Sequence, residues 1–347
     1  MSKMSAKYLV TGAAGNLGRH IVNILDKKGA DIRGLVLPDE KYIPNSLFNH
    51  EIYKGNILNN EDLLRFFTVS DDSEIIVIHC AGIVSIGWDY NKKVYSVNVD
   101  GTKNIVEQCI KTKVRKLIYV SSVHAIPELP HGQTMSEVTD FNPDKVIGFY
   151  GKTKAKASRI VMEAVETNGL NASLVFPSGI CGPEDYTYGN ITQLLIEIAN
   201  GRLIAGVQGG YSFVDVRDVA DAIVNCCENG EKGNGYILSN RYVSIKEIFE
   251  LVHAAAGQEN KACMLPICLA ELGLPFIGAY CKLTKTSPLF TKYSLYTLRS
   301  NPSFSSEKAK KNLNFTPRPF SETIFDSIEW LTSMKIIKKK DDLKKIS

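Results

Sequence analysis

The segment Thr11-Gly12-Ala13-Ala14-Gly15-Asn16-Leu17-Gly18 sets three glycines three residues apart. Glycine accepts positive φ and lets a backbone come close to a ligand. Where such a loop leaves a strand and opens a helix, the helix N-terminus offers unpaired N–H groups and a positive dipole end to a pyrophosphate. The chemistry implied is dinucleotide binding. The spacing is G-x-x-G-x-x-G, not the commoner G-x-G-x-x-G. A glycine-rich turn alone is also an ordinary strand-to-helix connector. Its place at the first junction of a long alternating pattern is what marks this one. The second strand would select the cofactor, an acidic side chain at its end binding a ribose 2′-hydroxyl and an arginine a 2′-phosphate. That strand ends Gly34-Leu35-Val36-Leu37-Pro38, and Asp39 and Lys41 follow, so NAD and NADP both stay open.

A second constellation lies at Tyr150-Gly151-Lys152-Thr153-Lys154. Four residues apart, Tyr150 and Lys154 share one face of a helix. A free tyrosine has a pKa of about 10, so roughly one in a thousand is ionised at pH 7. A nearby ammonium and an oxidised nicotinamide ring would favour the phenolate. Bringing the pKa to about 7 takes roughly 4 kcal/mol of differential stabilisation and would make Tyr150 a general acid–base. Lys154 could also bond the nicotinamide ribose. The plain alternative is a half-buried tyrosine beside a snorkelling lysine. Ser121 and Ser122 close the strand at 116–121, where a hydroxyl could bond a substrate oxygen and the tyrosine, or simply end the strand.

These residues need a scaffold, and the first half supplies a regular one. Strands fit 7–11, 31–37, 51–54, 74–80, 116–121 and 172–176. Helices fit 17–28, 61–67, 94–111 and 146–167. The run EIIVIHC at 74–80 is continuously apolar, as expected of a strand buried on both faces. Such alternation predicts an α/β fold, a doubly wound Rossmann-type parallel sheet with right-handed crossovers and a ligand crevice at the strands' carboxyl ends. After residue 176 the rhythm breaks. A helix fits 191–200, a strand 213–216, a helix 218–228 and a further sheet strand 236–239, with mostly helix over 244–334. The expected division is a dinucleotide-binding domain over 1–176, with returns near 213–240. A smaller, interleaved substrate-binding lobe takes 177–212 and 241–334, and a basic tail 335–347.

Composition narrows the classes. The 347 residues are 44% hydrophobic and 22% charged, which excludes disorder for most of the chain. Lys+Arg is 41 and Asp+Glu 37, for a net +4. Residues 335–347 hold six Lys and two Asp, so residues 1–334 carry 35 charges of each sign. The excess is a terminal tail, which argues against nucleic-acid binding and suits a solubilising end or a weak contact with an anionic surface. No apolar signal-like region opens the chain. Eight cysteines with no C-x-x-C pair read as reduced thiols, pointing to a cytoplasmic protein. The N-x-S/T matches at Asn171, Asn190 and Asn314 then read as chance. Residues 263–281 hold a single charge and are about long enough to span a bilayer, but Pro266, Gly273, Pro275 and Gly278 favour a buried or lid helix.

Taken together the chain resembles the extended short-chain dehydrogenase/reductase (NAD-dependent epimerase/dehydratase) family over about residues 7–333. The motifs fall in order: TGAAGNLG at 11–18, GNI at 55–57, HCAG at 79–82, NVDGT at 98–102, VSS at 120–122, YGKTK at 150–154, PSGICGP at 177–183 and VDVRDVADA at 214–222. The stretch FSSEKAKKNLNFTPRPF at 304–320 fits the family's C-terminal pattern. The resemblance implies that Gly12, Gly15, Asn16, Leu17 and Gly18 wrap the pyrophosphate. Asn56 and Ile57 would lie by the adenine, where the family more often has Asp in place of Asn56. Ala81 and Gly82 would line the cofactor, Asn98 tie sheet to site, and Pro177 lie beside the nicotinamide. Ser122, the last hydroxyl before the turn, would be the catalytic serine, with Tyr150 and Lys154. Helices 94–111 and 146–167 would form a homodimer interface. His124 stands where a small residue is usual, either a mouth residue touching substrate or a plain polar loop residue.

The expected activity is NAD(P)-dependent hydride transfer to or from a small-molecule carbonyl or alcohol by a Ser-Tyr-Lys mechanism. YSFVDVRDVADAI at 211–223 is most similar to the dihydroflavonol-4-reductase/3β-hydroxysteroid-dehydrogenase-like branch, and the apolar 263–281 segment suits a rather apolar substrate. The alternative is a nucleotide-sugar epimerase or dehydratase with tightly bound NAD. A dehydratase would carry an acid beside Ser122, where this chain has Val123 and His124. A non-catalytic dinucleotide sensor fits least. No metal, nucleic acid or membrane span is expected.

Overall fold

A computed structural model describes residues 6–69, 73–260, 262–284 and 290–337, with backbone alone over 276–284. Most of the basic tail lies outside the described residues.

Six strands open the chain: β1 (Ala6–Thr11), β2 (Asp31–Val36), β3 (Glu51–Lys54), β4 (Glu74–His79), β5 (Lys116–Val120) and β6 (Ala172–Pro177). Between them run α1 (Asn16–Lys27), α2 (Asn60–Phe67), α3 (Lys92–Tyr95), α4 (Gly101–Lys111) and α5 (Phe149–Asn168). Later come β7 (Gly179–Cys181), α6 (Asn190–Ala199), β8 (Ala205–Val207), β9 (Gly210–Asp215), α7 (Val216–Asn229), β10 (Gly235–Leu238), β11 (Arg241–Ser244) and α8 (Ile245–Ala255). The chain continues through β12 (Cys263–Leu265), α9 (Ile267–Thr284), α10 (Lys292–Thr297), α11 (Glu307–Leu313) and α12 (Phe320–Ser333).

Seven strands pair in parallel in the order β10-β6-β5-β4-β1-β2-β3. This is the doubly wound α/β sheet expected, and the return at 236–239 joins it as β10. The apolar runs have a simple cause. Side chains alternate across a strand, so Val77, Leu117 and Tyr119 enter one core while Ile76, Ile78, Ile118 and Val120 enter the other. Helices α1 and α7 cover the second face; α4, α5, α8 and α12 belong to the first. Both faces being covered, β5 and β6 are buried at every position and β4 from Ile76 onward.

Three elements differ from the expectation. The helix predicted over 94–111 contains a π-helical turn at Ser96–Asp100, which shifts the face that Asn98 presents. The helix predicted from 146 begins at Phe149. Pro143–Lys145 forms a separate 3₁₀ turn, and Gly148 at φ +82° breaks the helical path. The apolar stretch at 263 opens as a strand, β12, paired with β8. In α9, Leu269 and Leu272 are exposed while Glu271 is paired with Arg299 at 2.6 Å. The described part of this helix is therefore not buried. Among the described residues no helix is long and apolar enough to cross a membrane. The seven described cysteines are free thiols, Cys263 and Cys268 exposed.

Candidate active site

The carboxyl ends of β1, β4, β5 and β6 lie side by side, and nearly all the predicted residues meet there. The phosphate loop leaves β1 at Thr11. Gly12 turns at φ +68°, and its N–H and that of Ala13 both donate to the Leu35 carbonyl, at 3.1 and 3.2 Å, which pins the loop to β2. A Cβ on Gly12 would come within 3.0 Å of the Ala81 backbone, and one on Gly18 would overlap the Gly12 carbonyl. Gly15 is the N-cap of α1 and has no side chain to cap it, so the first-turn N–H groups are left for a ligand. Asn16 Oδ1 is buried there without a hydrogen-bond partner. Uncapped N–H groups and a cradle with no room for Cβ atoms fit a bound dinucleotide phosphate, and the orphaned amide oxygen, an acceptor, suits a ligand hydroxyl.

Further along the edge, Asn56 is exposed after β3. Its Oδ1 accepts from Leu58 N–H at 3.0 Å, and its own N–H donates to Asp62 at 2.9 Å. Ile57 is buried, its carbonyl held by Asn104 at 3.0 Å. Pro177 closes β6, buried and in register with Leu238 of β10.

A buried chain of neutral groups lies beneath the loop at 80–83. Thr102 Oγ1 donates to the Asn98 carbonyl at 2.7 Å, so it accepts from His79 Nε2 at 3.1 Å. His79 Nδ1 then accepts from Thr11 Oγ1 at 2.7 Å, and Thr11 in turn accepts from Ala81 N–H at 3.2 Å. Burial, with the Lys154 charge nearby, pushes His79 down to about 3, which keeps it neutral. Asn98 grips both backbone groups of Ile83, at 2.8 and 3.0 Å, and Thr153 of α5 at 3.1 Å. Sequence reasoning missed Thr11, His79 and Thr102. The available signal was a histidine closing an otherwise apolar strand.

The two serines part company. Ser121 Oγ bonds Ser158 Oγ at 2.7 Å inside the protein. Ser122 caps the 3₁₀ turn Val123–Ala125, accepting from His124 N–H at 3.3 Å, and its hydroxyl is near enough to Tyr150 to favour the tyrosine's ionised form. Tyr150 sits in the first turn of α5. Lys154, one turn later, donates from Nζ to the Val120 carbonyl at 2.6 Å and lies 4.9 Å from the Tyr119 ring centre. A Cβ on Gly82 would stand 3.8 Å from that Nζ, so the cofactor-side loop, Lys154 and Tyr150 converge.

The protein's own groups set the starting point for Tyr150. Burial pushes its hydroxyl up to about 12 against the pull of Ser122, and burial pushes Lys154 down to about 8. Lys154 directs one of its three N–H groups at Val120. Among these groups desolvation is the largest influence and holds Tyr150 protonated; the sequence expectation of a phenolate includes the charge of an oxidised nicotinamide besides.

A parallel sheet of this order, with a phosphate loop after its first strand, defines a Rossmann-type dinucleotide-binding protein. Residues 8–239 match the NAD dependent epimerase/dehydratase family, and the chain belongs to it. It is 24% identical to sterol demethylase protein B of Methylococcus capsulatus, over 95% of this chain and 99% of that one. It is 27% identical to 3beta-hydroxysteroid-dehydrogenase/decarboxylase isoform 2 of Arabidopsis thaliana, over 94% of this chain and 62% of that protein. Among solved structures, that of gox2253 aligns with a TM-score of 0.81 at 28% identity, covering 95% of this chain and 99% of that one.

Proposed function

We propose that this chain is an NAD(P)-dependent oxidoreductase acting on the carbonyl or alcohol of an apolar small molecule. The observation that carries the reading is that Ser122 and Tyr150 sit close enough for the serine to act on the tyrosine's titration, with Lys154 one helical turn on and Gly82 beside its Nζ. The sterol and hydroxysteroid names of two relatives support the substrate class.

Gly12, Gly15, Asn16, Leu17 and Gly18 would hold the pyrophosphate, and Ala81, Gly82 and Pro177 the nicotinamide end. Asn56 and Ile57 would border the adenine. When bound, the nicotinamide supplies or accepts the hydride. Ser122 bonds the substrate oxygen and fixes its direction. Tyr150, protonated at neutral pH, delivers its proton to that oxygen as negative charge grows there. Lys154, anchored on Val120, keeps a positive charge beneath the site and can reach a ribose hydroxyl. Asn98, through Ile83 and Thr153, sets the loop and helix that carry these groups. The faces of α4 and α5 would pair two copies in a homodimer.

The test is direct. NADH and NADPH are titrated by fluorescence and by ligand-dependent melting, then ketones, aldehydes and UDP-sugars are screened. Net nicotinamide oxidation or reduction with a carbonyl or alcohol is the expected result. Tyr150→Phe should lower kcat at least about 100-fold, the size of a lost general acid, with cofactor affinity kept. UDP-sugar interconversion without net oxidation would replace the reading with an epimerase, and normal turnover by Tyr150→Phe would overturn the mechanism.

A further inference from the structure

His124 follows the catalytic-candidate serine by two residues, and the structure gives it partners that no motif predicts. Its Nε2 lies 3.2 Å from the Tyr211 hydroxyl of β9 and its Nδ1 lies 3.1 Å from the Tyr293 hydroxyl of α10. The ring stacks on Tyr211 with centres 5.5 Å apart and planes 5° from parallel, and meets Tyr150 edge-on at 5.9 Å. Both tyrosines are buried. Burial pushes His124 down to about 4, so the ring is neutral at physiological pH.

Tyr150 sits between two glycines that make room for this arrangement. At Gly148, whose φ is +82°, a Cβ would overlap the ring of Tyr293. At Gly151 a Cβ would stand 2.7 Å from the His124 carbonyl. The helix bearing Tyr150 thus admits Tyr293 on one side and the His124 turn on the other. Val123, His124, Glu128, Met135, Tyr211 and Asn301 are among the residues lining a small cavity of about 40 Å³ that borders the His124–Tyr211 pair.

We propose that His124 is a positioning residue: a neutral latch that fastens Tyr211 and Tyr293, from two late-chain segments, over Ser122 and Tyr150. A neutral imidazole has one N–H and one bare nitrogen. One tyrosine must therefore give its proton to the ring. The other receives the ring's N–H and keeps its own proton for a further acceptor, a substrate oxygen in the cavity among them. The latch closes the roof over the pair and at the same time leaves one polarised O–H in it. The inference rests on the Ser122–Tyr150 reading for what lies under the roof, but its test does not need turnover.

Hydrogen exchange is followed by mass spectrometry on the full chain loaded with NADH, comparing wild type with His124→Phe, which keeps the ring and deletes both bonds. Peptides covering 210–215 and 292–297 should exchange at least about tenfold faster, while 7–20 and 172–177 stay unchanged. The Tyr211→Phe/Tyr293→Phe double variant should show the same change, and adding His124→Phe to it should add little. Nitrogen-15 spectra of His124 should show one protonated and one bare ring nitrogen in wild type, with a shifted tautomer balance in either single Tyr→Phe variant. With any turned-over substrate, His124→Phe should raise KM more than it lowers kcat, and His124→Asn should recover part of the loss. Unchanged exchange at either peptide, equal acceleration everywhere, or full additivity of the variants would overturn the latch. If His124→Phe fails to fold, the double tyrosine variant reads the same peptides with His124 kept. Failure of both NADH and NADPH to bind would sink the oxidoreductase reading and leave the exchange comparison on the unloaded chain to decide the latch; if only NADPH binds, it loads the chain in place of NADH.

Discussion

Under the site, Thr11, His79, Thr102 and Asn98 pass hydrogen bonds among neutral groups; at the start of α7, Asp215, Arg217, Asp218, Arg318 and Asp326 do the same with charges. The first network joins β1, β4, the helical segment 92–111 and α5. The second joins the end of β9 to the C-terminal segment. Asp215 caps α7 by accepting from Arg217 N–H at 2.8 Å, and takes the Arg217 guanidinium at 2.9 and 2.7 Å. Arg217 reaches on to Asp326 of α12 at 2.6 Å, and Arg318 holds Asp218 through its backbone N–H and its Nε at 2.8 and 2.9 Å. The difference follows access to water. Thr11, His79, Thr102 and Asn98 are at most 1% exposed, whereas the two arginines keep 24% and 23% of their side chains in solvent. Asp215 exposes none of its side chain and Asp218 7%, so in each pair it is the arginine that keeps water, and charges bridge distant segments there with only one partner fully desolvated. Beside Lys154, fully enclosed, only neutral partners avoid a second desolvated charge.

The largest effect expected from breaking this contrast is at Asp215. Asp215→Ala should cost about 3–5 kcal/mol, because it leaves Arg217 facing a hole and removes the helix cap. Urea unfolding would measure it. The arginine partners hold the Asp215 carboxyl below the ordinary range despite burial. Its contribution is therefore complete above the unfolded carboxylate pKa of about 3.9 and is lost as the pH falls through the lower folded value. Wild type should lose this increment in acid, and Asp215→Asn should not. A loss under about 1 kcal/mol on Asp215→Ala would mean that the ionic network is ornament and the contrast false.

How much of this was legible beforehand depends on distance along the chain. The central strands were readable because a strand buried on both faces is apolar through its middle, as in the IIVI of β4. The glycine loop and the Tyr150–Lys154 pair were readable because their geometry is local. The sequence could not show Asp215 beside Arg318, nor His124 beside Tyr211 and Tyr293, since those partners lie 87 to 169 residues apart and no spacing rule connects them. The helix start at Phe149 escaped because the tight packing of Tyr293 on Gly148, a tertiary fact, decides it. The burial of Tyr150 was hidden for a related reason: residue types display a lysine one turn away but not the desolvation that raises the tyrosine.

The neutral network should respond less. Thr11→Val keeps the shape but strips His79 Nδ1 of its donor and Ala81 N–H of its acceptor, costing about 1–3 kcal/mol. Because Ala81 borders the glycine cradle, NADH affinity measured by fluorescence should fall with it. Adding His79→Leu should restore part of the stability, since it removes the orphaned ring nitrogen and leaves only Ala81 N–H without its acceptor. A double variant weaker than the sum of the singles would show instead that His79 holds the loop by packing.

The smallest effect sharpens the contrast by taking the same charge chemistry to the surface. Arg202 grips Glu197 with two hydrogen bonds at 2.7 and 2.6 Å, a closer fork than most of the Asp215 network. Yet its side chain is 56% exposed. Water and salt screen such a pair, and holding two long side chains costs entropy. Arg202→Gln should therefore cost at most about 1 kcal/mol, and 1 M salt should erase most of that while leaving the Asp215→Ala penalty largely in place. Distance alone would rank the two sites together. If chemical denaturation at low and high salt separates them, burial sets the worth of a charge in this protein; if Arg202→Gln matches Asp215→Ala, geometry does.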